Sequence, residues 1–451
     1  MLASTLIAEP ELASGFRDPT FAKNKDLPLH RWVPWIAGFS AQFVDDCFYR
    51  YLAMREGCAV LDPFAGVGTT LLEAHTHGHE AVGFEINPYA ALAAKVKLQA
   101  DRTPPKALKS QVIAFQRFMD HRCPDGRFAG NQPNSTAPPG FAGRTQLFSP
   151  QVERRILHVL DFVNSIGVAE VRDLFRLALG SVMVSVSNYS YEPSLTRRSS
   201  ADKDDISDAD VSCVLSRKLN LILEDMEWLH DHMQRFRRRP SGRVYARSFD
   251  SSLQLLKRTG FVDLVVTSPP YLNNYHYPRN TRPQLHWLGF ASGPGYRGAR
   301  ENESFGKFWQ TVRNKPPVRL SFRLPELEDI VERIRSLNPE KEDYGGAGWA
   351  NYAATYFNDT HGFCKNLGAL LKPDGVAVIV LGNSIIQGVE VKTDHYFGKI
   401  AELCGLKFED TLLLRKKRAG TSIIRSSVRT DRAADKVALY ESAIVLRGVS
   451  P

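Results

Sequence analysis

Apolar runs alternate with amphipathic stretches in two parts of the chain. In residues 58–96, AVLDPF and AVGFE have the continuous apolar pattern of buried strands, and each is followed by apolar positions at helical spacing. Asn87 followed by Pro88 predicts the start of a helix, because the pair supplies a cap and a first-turn proline. Strands that alternate with helices form parallel sheets, so this region predicts an α/β fold.

Later apolar runs predict more strands of the same sheet. They are VYARS (244–248), VDLVVTS (262–268), GVAVIVLG (375–382), LKFEDTLLLRK (406–416) and ALYESAIVLRG (438–448). The last two are expected to pair as a C-terminal hairpin. Helices are predicted at 352–375, ending at Pro373-Asp374-Gly375, and at 394–406. The total is seven strands.

Two long segments interrupt the alternation of strands and helices. Residues 101–243 have apolar positions at helical spacing in several stretches and predict a helical insertion. Residues 123–143 within it are too rich in Gly, Pro and Asn for regular structure. A second insertion, 272–349, is rich in aromatic and basic residues and has few strand signals.

Composition narrows the class of protein. The chain has 451 residues, 43% of them hydrophobic and 24% charged, which is typical of a globular protein that folds in water. No apolar run approaches the ~18 residues of a membrane span. The six cysteines have no metal-ligand spacing, which predicts reduced thiols, a cytoplasmic location and no metal site. The net charge of +9 indicates, weakly, a polyanionic partner.

The turn DPFAGVGTT (62–70) follows the first strand and opens a helix. Its glycines allow a ligand to approach the backbone, but the pattern is neither a dinucleotide fingerprint nor a P-loop. Asp62 would suit a cationic amino group, and Glu85 ends the next strand where an acid accepts hydrogen bonds from a ribose. A nucleoside with a cationic tail, such as S-adenosylmethionine, fits both acids. The alternative is a structural turn with an incidental Glu85.

The corner TSPPY (267–271) follows the strand FVDLVV. Its two prolines remove two backbone donors and fix two φ angles. Taken alone, this is most simply a rigid turn.

Together the two motifs resemble the amino-group DNA methyltransferases, which methylate cytosine N4 or adenine N6. The resemblance, which includes HRWVPWIAGFSAQFVDD (30–46) and SFD (248–250), covers about half the chain. It implies a Rossmann-like seven-stranded methyltransferase sheet with its last strand antiparallel, formed by 28–100 and 244–451. It also implies S-adenosylmethionine as the cofactor, with contacts from Phe39, Asp62, Phe64, Gly66, Gly68, Thr69, Glu85 and Asp250. Many relatives have the catalytic motif first, whereas here the cofactor motif comes first.

The resemblance makes Ser268, Pro269, Pro270 and Tyr271 the expected catalytic residues. An exocyclic amino group is a poor nucleophile, and acceptors aimed at its hydrogens favour the tetrahedral nitrogen that attacks the methyl group. The Pro269 carbonyl, fixed by Pro270, and the Ser268 hydroxyl are such acceptors. Tyr271 offers a face on which a flipped base stacks. No metal or covalent nucleophile is required.

Ser268 favours cytosine N4 as the methyl acceptor, since adenine-N6 relatives usually have Asp at this position. Three alternatives remain: an adenine-N6 DNA methyltransferase, an RNA amino-methyltransferase, and a catalytically idle DNA-binding specificity subunit. The expected partners are double-stranded DNA and, if the enzyme does not stand alone, a cognate restriction endonuclease or defence-system subunit.

Two basic clusters are expected to contact DNA phosphates, and the first insertion is expected to help in target recognition. The first cluster could instead be a solvated helix end. The clusters consist of Arg235, Arg237, Arg238 and Arg239, and of Arg415, Lys416, Lys417 and Arg418. The second insertion is expected to build the wall of the base pocket.

Overall fold

The structure is a computed structural model. It describes residues 15–17, 20–35, 38, 40–53, 55–124, 132–139, 146–192, 194–273, 277–291, 302–416 and 439–450. Among these, no helix is long and apolar enough to cross a membrane.

The strands are, in chain order, β1 (Ala59–Asp62), β2 (Glu80–Phe84), β3 (Tyr189–Tyr191), β4 (Leu195–Arg197), β5 (Gly242–Tyr245), β6 (Val262–Thr267), β7 (Leu371–Gly382), β8 (Ser384–Ile386), β9 (Val389–Val391), β10 (Lys407–Lys416) and β11 (Tyr440–Arg447).

The α-helices are, in chain order, α1 (Ala41–Leu52), α2 (Thr69–Thr76), α3 (Pro88–Gln99), α4 (Pro105–Arg122), α5 (Pro150–Ser165), α6 (Ala169–Val182), α7 (Val211–Met233), α8 (Arg282–Trp287), α9 (Trp309–Val312), α10 (Pro325–Arg335), α11 (Gly346–Leu370) and α12 (Thr393–Leu403).

Seven strands form the central sheet, in the order β10-β11-β7-β6-β1-β2-β5. The neighbours β5 and β2, β2 and β1, β1 and β6, and β6 and β7 pair in parallel, whereas β11 runs antiparallel to both β7 and β10. The predicted Rossmann-like sheet, its seven strands and its antiparallel last strand are confirmed. Because β6, β1 and β2 are parallel neighbours, the residues that follow them meet at one edge of the sheet, called here the carboxyl edge. The opposite edge is called the amino edge.

Helices cover both faces of the sheet, as a parallel sheet requires. One face packs on α1, α2 and α3, and the other packs on α11 and α12. The large helical insertion, α4 to α7, packs outside α3 in a continuous apolar core that includes Tyr89 and Phe175. The domain bounds stay a prediction.

A buried carboxylate fixes the segment before α1 to the insertion. Asp225 on α7 is 2% exposed and accepts hydrogen bonds from the backbone of Leu29 (2.8 Å), from Arg31 (2.6 Å) and from the indole of Trp32 (2.8 Å). Four donor groups converge on it, since Nε of Arg31 also donates at 3.1 Å. The insertion therefore holds the segment that leads into the sheet.

The prediction of a helix over 352–375 is wrong at both ends. The helix α11 starts at Gly346 and stops at Leu370, and Pro373-Asp374-Gly375 lies inside β7. Leu371 is opposite Val262 of β6, and the ladder resumes only at Val376, so residues 372–375 form a bulge in which Asp374 has φ +63° and its N–H donates to Gly448. The turn signal is therefore expressed as a bulge inside the strand and not as the end of the helix. The short hairpins β3–β4 and β8–β9 were not predicted.

Candidate active site

The turn between β1 and α2 depends on two glycines with positive φ. Gly66 has φ +51°, and Gly68 has φ +84° and caps α2. A Cβ at Gly68 would lie 2.8 Å from the Cβ of Ala94, so only glycine lets α3 pack this closely. A Cβ at Gly66 would lie 3.4 Å from the indole nitrogen of Trp35. The backbone of the turn is therefore accessible to a ligand, whereas side chains larger than that of glycine do not fit at these two positions.

Glu85 joins this turn to the start of α3. One carboxylate oxygen accepts from the N–H of Gly66 at 2.8 Å, and the other accepts from the N–H of Asn87 at 2.6 Å. Asn87 in turn caps α3 and donates to the hydroxyl of Thr281 at 2.8 Å. Two backbone donors orient the carboxylate, so Glu85 stands at the carboxyl edge in one fixed direction.

Asp62 lies beneath the turn. Its side chain is 1% exposed and accepts hydrogen bonds from the N–H of Phe64 at 3.0 Å and from the hydroxyl of Thr267 at 2.6 Å. Burial raises the pKa of Asp62 to about 6, and the hydrogen bonds from Thr267 and Phe64 oppose that rise. The structure thus places Asp62 as a bridge between the two motifs.

Aromatic side chains surround Phe64 on the face of the sheet that packs on α11 and α12. The ring of Phe64 packs on Phe305 and Phe363, with centroid distances of 5.2 and 5.6 Å. Asp250 accepts a hydrogen bond from Asn366 at 3.2 Å, and the surrounding protein raises the pKa of Asp250 to about 6 because it desolvates the carboxylate. Of the remaining residues expected at the cofactor, Thr69 opens α2 and Phe39 lies outside the described residues.

The corner motif leaves the sheet directly after Thr267, the last residue of β6. Pro269 is buried, whereas Ser268, Pro270 and Tyr271 are partly exposed. The Tyr271 hydroxyl donates to a carboxylate oxygen of Glu441 at 3.4 Å, and Arg415 pairs with the other oxygen. The corner is thereby tied to β11 and β10.

Lys97 was missed by sequence reasoning. It is 0% exposed, and its ammonium donates to the carbonyl of Val67, inside the glycine turn, at 3.0 Å. Burial, with the positive charge of Lys218 as a second cause, lowers the pKa of Lys97 to about 7. A lysine in an otherwise apolar helix pattern gives no signal that it supports a turn 30 residues earlier.

The structure separates the two predicted basic clusters. Arg235 donates to the carbonyl of Thr76 at 2.6 Å, and Arg239 donates to the carbonyl of Asp101. Because α2 runs from the carboxyl edge to the start of β2, its last residue, Thr76, lies toward the amino edge, away from the corner. Arg237 and Arg238 are exposed.

The other basic cluster starts at the carboxyl edge. Arg415 and Lys416 end β10, which runs in the direction of the parallel strands. Lys417 and Arg418 lie outside the described residues. The phosphate-contact role of both clusters stays a prediction.

Comparisons with known proteins support the family resemblance. A family model for N6 and N4 methyltransferases, described as DNA methylase, matches residues 51–96. The chain is similar to the type II methyltransferase M.BsoBI of Geobacillus stearothermophilus, with 23% identity over 89% of this chain and 83% of that protein. It is equally similar to M.AvaI of Nostoc sp., with 23% identity over 89% of this chain and 84% of the relative.

Among solved structures, the rRNA methyltransferase aviRa from Streptomyces viridochromogenes superposes with a TM-score of 0.30 and 10% identity, over 92% of this chain and 87% of that one. A superposition this loose has no bearing on function. The family and sequence matches confirm the predicted resemblance to the amino-group DNA methyltransferases, and with it methyltransferase activity and S-adenosylmethionine as the methyl donor.

Proposed function

We propose that this methyltransferase transfers the methyl group of S-adenosylmethionine to the exocyclic N4 amino group of cytosine in duplex DNA, after the base has rotated out of the helix. The observation that carries the proposal is the hydrogen bond from Thr267 to Asp62. It joins the last residue of β6, next to the corner, to the last residue of β1, next to the glycine turn. The proposed sites of the methyl donor and the methyl acceptor are therefore neighbours at the carboxyl edge.

The residues at this edge fit the cofactor. Glu85 already accepts two N–H bonds, yet each carboxylate oxygen has a second lone pair that can accept from a ribose hydroxyl. Positive φ at Gly66 and Gly68 brings backbone rather than side chains to the ligand. S-adenosylmethionine supplies a methyl group on a positively charged sulfur, which is the electrophile. We assign Phe64, Thr69 and Asp250 to the wall of this site.

The role of Asp62 is narrower than the motif alone indicates. Its carboxylate is 1% exposed and is engaged by Thr267 and by the N–H of Phe64. We infer that Asp62 acts on the cofactor mainly because it fixes the glycine turn. The attraction between its buried negative charge and the cationic amino group would act through the protein of the turn and not through solvent.

The TSPPY corner supplies two hydrogen-bond acceptors that would activate the exocyclic amino group, which is otherwise a poor nucleophile. Pro269 is buried and Pro270 follows it, so the carbonyl of Pro269 has a fixed direction. The hydroxyl of Ser268 is the second acceptor, and the two together favour the tetrahedral nitrogen of the transition state. Tyr271 stacks on the flipped base, and its hydroxyl is held by Glu441. A serine rather than an aspartate at 268 is what favours cytosine.

DNA and a restriction partner are proposed from the same relatives. Those similar over most of the chain are named type II methyltransferases. We propose duplex DNA as the substrate and, unless the enzyme stands alone, a cognate restriction endonuclease or defence-system subunit as its partner in the cytoplasm. Arg415 and Lys416 lie at the carboxyl edge, where contacts to the substrate backbone are expected.

The test is nucleoside mass spectrometry of duplex DNA incubated with the protein and S-adenosylmethionine that carries a deuterated methyl group. Labelled N4-methylcytosine is expected, and it should disappear with Pro270→Ala at unchanged cofactor affinity. Labelled N6-methyladenine alone would overturn the base and keep the mechanism. Label only in RNA would overturn the substrate class. No labelled base, from protein shown to bind the cofactor, would identify an idle specificity subunit.

A further inference from the structure

A basic segment of the second insertion lies along α11. Residues 313–323, RNKPPVRLSFR, contain four cationic side chains and no acidic one, and they are called here the basic strap. The strap has no helix or strand of its own. A run of charges is most often a solvated surface, so its meaning depends on how the structure holds it.

Two asparagines on the same face of α11, Asn351 and Asn358, fix the backbone of the strap. Asn351 accepts from the N–H of Val318 at 2.8 Å and donates to the carbonyl of Lys315 at 2.8 Å. Asn358 accepts from the N–H of Ser321 at 2.7 Å and donates to the carbonyl of Arg319 at 2.9 Å. The polar backbone groups of the strap therefore point inward, toward α11.

Two further features stiffen the strap. Arg335 of α10 donates to the carbonyl of Val318 at 2.9 Å, and Pro316 and Pro317 fix two φ angles. At its start, the guanidinium of Arg313 packs against the adjoining rings of Trp309 and Tyr344, at 4.7 and 4.2 Å from their centroids. Little backbone entropy remains for the strap to lose when it binds a ligand.

The other three cations are exposed. Within the described part of the chain, Lys315, Arg319 and Arg323 form no ion pair and no side-chain hydrogen bond. They contrast with Arg235 and Arg239, whose guanidinium groups bind backbone carbonyls. In extended chain, side chains four residues apart are up to about 13 Å apart. That distance corresponds to the rise of about four base pairs along the DNA helix axis, at roughly 3.4 Å each.

The strap lies toward the carboxyl edge. The helix α11 runs directly into the start of β7 at the amino edge, so its N-terminal part, where Asn351 holds the strap, points to the other edge. Phe305, which precedes the strap by eight residues, packs on Phe64 of the glycine turn at 5.2 Å. The exposed cations thus stand on the side of the sheet where the target base must enter.

We propose that the basic strap binds phosphates of the duplex DNA that carries the target base, through Lys315, Arg319 and Arg323. The inference rests on the proposed function, because it takes duplex DNA as the ligand. A fixed backbone, three exposed cations without an ion pair within 4 Å among the described residues and a place beside the proposed active site together fit a contact to the DNA backbone that carries no sequence information.

The experiment compares two triple variants of the full chain by fluorescence anisotropy on a labelled duplex, over a range of salt concentrations. The strap variant is Lys315→Gln, Arg319→Gln and Arg323→Gln. The matched control is Lys257→Gln, Lys365→Gln and Lys407→Gln, which removes the same charge from exposed side chains near the amino edge and outside both insertions. Cofactor affinity and thermal unfolding of both variants should equal those of the wild type.

The strap variant is expected to reduce the slope of log K against log salt by about 0.9 for each lost phosphate contact. For three contacts, the loss of affinity at about 0.15 M salt is on the order of 100-fold. The control should keep the wild-type slope. An additional variant, Asn358→Leu, keeps every charge but releases Arg319 and Ser321, and it should weaken binding with intact cofactor affinity. Should the triple variant unfold, Arg319→Gln alone should reduce the slope by about 0.9.

Equal slopes for the strap variant and the control, with normal methylation, would overturn the strap and leave the proposed function intact. A larger loss on RNA than on duplex DNA would overturn the partner. Wild-type protein that binds the cofactor but has no salt-dependent affinity for duplex DNA would overturn the proposed function and the strap together.

Discussion

The hydroxyl of Thr267 donates a hydrogen bond of 2.6 Å to the carboxylate of Asp62, although the two residues are 205 positions apart in the chain. Thr267 is 0% exposed and Asp62 is 1% exposed, so neither group exchanges this bond for one with water. The bond sets the spacing between the end of β1 and the end of β6. We therefore expect the alignment of methyl donor and methyl acceptor to depend on this contact.

Thr267→Val keeps the shape of the side chain and removes the donor. The buried carboxylate of Asp62 then loses one partner, which should lower the free energy of unfolding by about 1–3 kcal/mol. Affinity for S-adenosylmethionine should fall as well, because the turn is less well fixed. Urea unfolding and calorimetry measure the two effects. Thr267→Ser, which restores the hydroxyl, should recover both, and a Val variant with wild-type values would show that the bond is dispensable.

Gly66→Val should abolish cofactor binding. The residue has φ +51°, which a β-branched side chain adopts only with strain, and its Cβ would point at Trp35 from 3.4 Å. Gly57→Val is the matched control, because Gly57 has φ +67° with open space around a Cβ. Both variants should lose stability, but only Gly66→Val should lose calorimetric binding of S-adenosylmethionine. Intact binding in Gly66→Val would remove the turn from the cofactor site.

Ser268→Ala removes one of the two acceptors at the corner and leaves both prolines and Tyr271 in place. Loss of one transition-state hydrogen bond in an active site reduces kcat on the order of 100-fold. Single-turnover methylation measures this effect, and cofactor affinity serves as the internal control. A variant that loses cofactor affinity but keeps its single-turnover rate at saturation would contradict a role in the chemical step.

Arg235→Gln should reduce stability rather than affinity for DNA. Its guanidinium binds the carbonyl of Thr76 at the end of α2, and a hydrogen bond from a charged donor contributes about 1.5–3 kcal/mol. Arg238→Gln, at an exposed neighbour, is the control and should leave the free energy of unfolding unchanged. Urea unfolding separates the two. A stable Arg235→Gln variant with a lower salt slope in DNA binding would instead support the phosphate role predicted for the run 235–239.

Lys97 makes stability depend on pH. Its pKa is lowered to about 7 in the folded protein from an ordinary value of 10.5, which holds in the unfolded chain. Between these values the unfolded chain binds more protons, so the free energy of unfolding should rise with pH across this interval. Lys97→Met should flatten the rise, whereas Lys95→Met, which removes an exposed amine from the same helix, should not. Urea unfolding between about pH 6 and pH 10 tests this, and an unchanged profile in Lys97→Met would refute it.

Local pattern was sufficient for the parts of the fold that local physics decides. The central strands β1 and β6 are short, fully buried and mostly apolar runs, and the glycine turn and the proline corner are special backbone geometries encoded by their own residues. The end of α11 was misjudged because Leu371 pairs with Val262 and Asp374 bonds to Gly448, which are remote in the chain, so the turn at 373–375 becomes a bulge inside β7.

Contacts between distant residues account for what the sequence did not reveal at the site. Lys97 supports Val67, and Arg235 caps α2 from 159 positions away. Nothing in the neighbouring sequence distinguishes these cations from solvated ones. The composition of 235–239 is that of a phosphate-binding run. Only the hydrogen bonds to the carbonyls of Thr76 and Asp101 show that Arg235 and Arg239 have intramolecular partners.

Asp225 has a practical consequence for engineering. The insertion 101–243 is expected to help in target recognition, so its exchange for the corresponding segment of a relative would test that role. A donor segment without a carboxylate at this position would leave the backbone of Leu29, the guanidinium of Arg31 and the indole of Trp32 without their common acceptor. A chimera would therefore have to carry residues 29–32 along with its new insertion, as two pieces inherited from the same parent.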